Sequence, residues 1–206
     1  MERVHIGYAY FNRIQYKLLM KSIYQFIVEP VNNKRYNNTK TIAGMDFIVS
    51  TSEEDVSAAN REAVVIETPL DYSGPIEAGD ILLVHHNVFK FYNDMKGRRK
   101  SGKSFFKENL FFIDYDQFFA YKKDGVWHGY DRYCFIKPTP VKDSYIFKPI
   151  TNEPLMGTIA ILNDSLKAQG LKVGDMICYK PSQEYEFNVD GEILWRMYDH
   201  SITLKI

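Results

Sequence analysis

Two stretches of the chain bring chemically capable residue types together at short spacing. Gly97-Arg98-Arg99-Lys100-Ser101-Gly102-Lys103-Ser104 fits the pattern G-x-x-x-x-G-K-[ST]. In a phosphate loop the glycines let the backbone approach phosphate, the lysine neutralises it and the serine reaches magnesium. Such a loop must follow a buried strand and open a helix. Here Phe91 to Lys96 is turn-like near the first glycine, and Ser104 to Leu110 leaves too little chain for a helix and a return crossover. A solvated basic loop is the expectation for Lys96, Arg98, Arg99, Lys100 and Lys103, with phosphate or an acidic partner surface as what it would meet. The adjacent pair His85-His86 follows a strand, where neighbours point to opposite faces and chelate poorly. Cys134 and Cys178 have no CxxC partner and are expected as free thiols. No Ser/His/Asp constellation and no paired-carboxylate spacing stands out. The expectation is a protein that is not an enzyme and takes no cofactor and no metal.

Composition sets the frame for those residues. Lys+Arg and Asp+Glu are both 26 in 206 residues, so the net charge is zero. A dedicated nucleic-acid binder usually carries a basic excess, so nucleic acid is not an expected partner. No apolar run approaches the length of a membrane span, and the N-terminus lacks the pattern of a signal peptide. A soluble cytoplasmic protein is expected. The unusual number is aromatic content, 15%, with 15 Tyr, 14 Phe and 2 Trp.

The elements that carry these residues repeat. Ile76-Glu77-Ala78-Gly79-Asp80-Ile81-Leu82 reads like Leu171-Lys172-Val173-Gly174-Asp175-Met176-Ile177, 95 residues later, and Ala63 to Ile66 matches Thr158 to Ile161 at the same offset. Leu110 to Asp116 matches Ile193 to Asp199 at an offset of 83, and Tyr24 to Val28 matches Tyr133 to Lys137 at 109. The blocks keep one order, which predicts two tandem copies at 22–123 and 132–206 after an N-terminal extension, 1–21. Each copy reads as all-β, with short strands rich in Ile, Val, Phe and Tyr between turn residues. Small barrels are the expected architecture, because closure removes strand edges. The first copy holds a long polar segment, 32–60, around one apolar cluster, and a basic insertion, 90–108. Loops of that length are usually functional or disordered.

The order of blocks resembles the GroES-type co-chaperonins, the small lid subunits of chaperonins. In that family an opening strand precedes a long mobile loop, a second strand, a V-G-D turn, and a late hairpin with a C-terminal strand. Phe26-Ile27-Val28-Glu29-Pro30, Glu77 to Leu83, Leu171 to Tyr179 and Asn188 to Leu194 carry the likeness. It implies two tandem GroES-like β-barrels with a short N-terminal extension. It also implies a co-chaperonin that caps a chaperonin ring and assists ATP-dependent folding by its partner. The partners implied are a chaperonin large subunit, host or virus encoded, and further copies of this chain in a ring, a heptamer by family pattern. The anchor residues implied are Ile42, Gly44, Met45, Phe47, Ile48 and Val49, in the mobile loop; the alternative is an ordinary strand at Phe47-Ile48-Val49. The tandem form suggests a viral source such as a bacteriophage. The rival readings are a structural or virion assembly protein built on the same barrels, and, last, a nucleotide-dependent enzyme using Gly97 to Ser104.

Overall fold

The computed structural model describes residues 21–37, 39–48, 58–140 and 152–206. The expected N-terminal extension therefore lies outside the described residues, apart from Lys21. The chain divides into two compact units, Met1–Phe118 and Phe119–Ile206.

In the first unit, β1 (Phe26–Pro30), β4 (Glu62–Glu67), β5 (Ile81–Val84), β8 (Phe105–Lys107) and β9 (Leu110–Ile113) lie side by side in the order β5-β4-β1-β9-β8. Their pairings are antiparallel. Two separate hairpins accompany them, β2 (Thr39–Ile42) with β3 (Met45–Ile48), and β6 (Phe91–Asn93) with β7 (Arg99–Ser101). Alternation decides which face of β4 is inside: Ala63 and Val65 are buried, with half-buried neighbours between them. The aromatic excess becomes core. Phe26 meets Phe118 edge to face at 5.3 Å, and Phe89 meets Phe111 at 4.8 Å, all four fully buried.

The second unit takes in β10 (Phe118–Lys123), which straddles the division, and β11 (Val126–Gly129), a hairpin closed by Asp124 and Gly125, both at positive φ. It continues with β12 (Tyr133–Pro140), β13 (Asn152–Ile161), β14 (Met176–Tyr179), β15 (Tyr185–Val189), β16 (Glu192–Tyr198) and β17 (Ile202–Lys205). These six form one antiparallel sheet in the order β15-β16-β12-β13-β14-β17. A one-turn helix, α1 (Asp164–Ala168), follows β13. Asn163 caps it by accepting the Leu166 N–H at 3.0 Å, and Leu166 and Leu171 pack into the core with Ile136, Ile159 and Met197.

The two units repeat one another in their pairing. The order β5-β4-β1-β9-β8 in the first is β14-β13-β12-β16-β15 in the second. Both opening strands carry a register break, between Ile27 and Val28 and between Phe135 and Ile136. Matching those breaks makes Val28 equivalent to Ile136 and Val65 to Ile159, and moves three of the sequence blocks by one residue each.

The barrels expected from the sequence are not there. The strands form antiparallel sheets of seven and six strands, and neither closes on itself. In the six-stranded sheet, β15 pairs only with β16 and β17 only with β14. The tandem GroES-like β-barrel architecture is thus overturned, and so are the likeness to the GroES-type co-chaperonins and the ring-capping function that rested on it. The physical reason is that alternation and turn chemistry specify neighbouring strands, whereas closure requires tilt and stagger around a whole sheet to bring its two end strands together.

Candidate functional site

The segment expected to carry the anchor residues leaves the first unit through a neck. Asn37 N–H donates to the Ala58 carbonyl at 2.7 Å, and Asn60 N–H donates to the Arg35 carbonyl at 3.0 Å. Asn60, 3% exposed, satisfies three backbone groups with one side chain. Its amide nitrogen donates to the carbonyls of Val31 and Lys34 at 3.1 and 2.7 Å, and its oxygen accepts the Glu62 N–H at 2.9 Å. Arg35 locks the outgoing strand. Its guanidinium lies 4.2, 4.9 and 4.7 Å from the ring centres of Phe91, Phe105 and Phe111 and donates to Asn109 Oδ1 and Ser101 Oγ. Burial among those rings, and then the positive charge of Arg99, lowers the Arg35 pKa from its ordinary value. The Tyr36 hydroxyl accepts the Phe91 N–H at 2.9 Å, tying the neck to β6.

Beyond the neck stands the β2–β3 hairpin, turned by Ala43 at φ 51° and Gly44 at φ 79°. Two successive positive φ values are what a two-residue hairpin turn needs, and Gly44 meets that need without steric cost. Gly44 is thus a turn former. Ile42 opposes Met45 in the register, Lys40 opposes Phe47 and Thr39 opposes Ile48. Met45, Phe47 and Ile48 are 61%, 46% and 66% exposed. Five of the expected anchors therefore sit on one hairpin, and the sixth, Val49, lies outside the described residues.

The basic stretch adopts a second hairpin. Asp94 organises its turn by accepting the N–H groups of Lys96 and Arg98, each at 2.9 Å, and Gly97 takes φ 71°. Strand β7 occupies the middle of the pattern, and strand β8 follows Ser104, where a phosphate loop would open a helix. The phosphate-loop reading of Gly97 to Ser104 is excluded by this geometry. The His85 and His86 rings lie with centres 4.0 Å apart and planes tilted by 33°. No group of three or more metal-ligating side chains occurs among the described residues. No helix among the described residues is long and apolar enough to cross a membrane.

In the second unit the Arg196 guanidinium stands within 5.0 Å of the rings of Phe119, Tyr133 and Tyr185 and 5.8 Å from Tyr198. Desolvation, then the hydrogen bond with Tyr198, pushes the Tyr133 hydroxyl up to about 12. The cation at the centre of these rings is the chain's own arginine.

No family model matches the chain, and no curated protein matches it in sequence. Nothing in these comparisons restores the family likeness that the open sheets remove.

Proposed function

We propose that the protein is a non-catalytic binding protein that docks a protein partner through the β2–β3 hairpin, the hairpin inserting into an apolar groove with Met45 and Phe47 on one face of β3 and Ile48 on the other. The observation that carries this reading is the exposure of those three large side chains at 61%, 46% and 66% on a hairpin beyond a tightly hydrogen-bonded neck. About half or more of each of these side chains stands in water, and burying that part against a partner yields about 1–2 kcal/mol each. Three side chains against the cost of association make one contact weak, so that several copies acting together gain most.

The partners expected from the sequence, a chaperonin large-subunit ring and further copies of this chain, serve as the probes. Fluorescence anisotropy of the dye-labelled full chain against the ring, and sedimentation of the chain alone, read out both. Binding in either arm that falls at least tenfold in Phe47→Asp and Ile48→Asp supports the hairpin as the docking element. Binding that both substitutions leave unchanged, or a wild-type chain that engages neither probe, overturns it.

A further inference from the structure

The first unit also contains a cleft of about 320 Å³ that the hairpin reading does not use. Its size is that of a small-ligand site. Two cations line it, Lys90 and Lys103, and no carboxylate does. Neither ammonium has an ion-pair partner among the described residues, in contrast to Lys100, which lies 3.7 Å from Asp94, and Lys21, which pairs with Glu67. Lys90 adds positive charge around the cleft, and His86 registers it last among four causes. Burial first, then the charges of His85, Arg61 and Lys90, depress the His86 pKa to about 4. The six cations between Met95 and Lys107, with no acidic residue among them, add to it.

The rest of the lining supplies direction and shape. Ser104, 9% exposed, accepts from the Gln117 amide at 3.5 Å, which leaves its hydroxyl hydrogen free to donate to an anion. Gln117 is itself held, because its oxygen accepts the Asp114 N–H at 2.9 Å. The backbone of Gly102 faces the Lys90 and Asn87 carbonyls, which an added Cβ would meet at ordinary contact distances of 3.4 and 3.5 Å. The Phe91 ring is already engaged, with the guanidinium of Arg35 at 4.2 Å and that of Arg99 at 3.7 Å. Tyr92, 49% exposed, is the lining ring with a face to offer.

We infer that this cleft is a binding site for a phosphate monoester carried on a flat ring, the chemistry of a nucleoside monophosphate. Lys90, Lys103 and the Ser104 hydroxyl hold the phosphate, and Tyr92 stacks on the ring. The hairpin of the proposed function lies elsewhere in the unit, so either reading can fail alone.

The test is isothermal titration of the full chain with AMP, adenosine and inorganic phosphate at low salt. The expected result is binding of AMP at least tenfold tighter than of adenosine or of phosphate. Lys90→Gln and Lys103→Gln should each weaken AMP at least tenfold, and Tyr92→Ala should remove the advantage of AMP over inorganic phosphate. Lys100→Gln, outside the cleft, should leave AMP binding unchanged, and unaltered melting temperatures confirm that the variants fold. Absence of AMP binding at millimolar concentration, phosphate binding as tight as AMP, or affinity indifferent to Lys90→Gln and Lys103→Gln overturns the proposal.

Discussion

The Glu77 backbone N–H donates to the Asp80 carboxylate at 2.8 Å, and the same bond at the same length joins Lys172 to Asp175 in the second unit. The surrounding backbone agrees. Gly79 N–H reaches the Val65 carbonyl at 2.8 Å as Gly174 N–H reaches Ile159 at 2.9 Å, and Val65 and Ile159 return N–H bonds to Asp80 and Asp175. Both glycines hold a positive φ, 98° and 93°.

Gly79→Ala and Gly174→Ala should therefore each destabilise their own unit by about 1–3 kcal/mol. Nothing lies within 4 Å of an added Cβ at either position, so the loss is conformational and not a clash. Urea unfolding of the two variants checks this, with similar losses expected at both sites.

The neck gives a second expectation. Asn60→Ala removes a side chain that satisfies Val31, Lys34 and Glu62 backbone groups, and should cost about 1–3 kcal/mol. Asn60→Asp keeps the acceptor for Glu62 and loses both donations, so it should not restore stability. Thermal denaturation of the two variants beside the wild type measures both effects.

The thiols should separate by reactivity. Burial pushes the Cys134 thiol up to about 12, and the residue is fully inaccessible, while Cys178 is part-exposed. At pH 8 a thiol reagent such as Ellman's should titrate one group readily and the second only on unfolding. Cys178→Ser should abolish the fast phase, and Cys134→Ser should leave it intact.

Acid should weaken the second unit. Burial alone would raise the Asp199 carboxyl, but hydrogen bonds from Arg132, Asn163 and the His200 backbone more than offset it and hold it below the ordinary carboxylate value. Asp190 is lowered by Lys122 and Trp127, and Asp175 by Lys205 and the Lys172 N–H. A depressed folded pKa contributes stability that is fully present above the unfolded value, about 3.9 for Asp, and is lost as pH falls through the folded value. The melting temperature should hold from neutral pH to about 5 and then drop below about 4. Asp199→Asn should lower it at neutral pH and flatten part of that drop.

Local features of this fold were legible in the sequence and global ones were not. The Gly79-Asp80 and Gly174-Asp175 turns could be read because a positive φ and an aspartate three residues from its donor are properties of a few adjacent residues. The block matches were one residue out at three strands, because the breaks at Ile27/Val28 and Phe135/Ile136 shift a register that composition does not record. Gly44 stands among the expected anchors, and its positive φ, with that of Ala43, makes the hairpin turn that the sequence reading did not foresee. Openness was illegible because it depends on whether β15 and β17, at opposite ends of a sheet, find one another. The cleft went unread for a related reason: Lys90, Lys103 and Gln117 are brought together by the fold. The run Lys90-Phe91-Tyr92, a cation beside two rings, was the one local signal of it.

The neck has a further consequence. Chain leaves through Asn37 and returns through Ala58, and among the described residues Arg35, Tyr36 and Asn60 tie those two points to the near side. Whatever is spliced between them enters and exits at the same paired residues. The paired points Asn37 and Ala58 thereby offer the first unit a place to display a different hairpin in place of β2–β3.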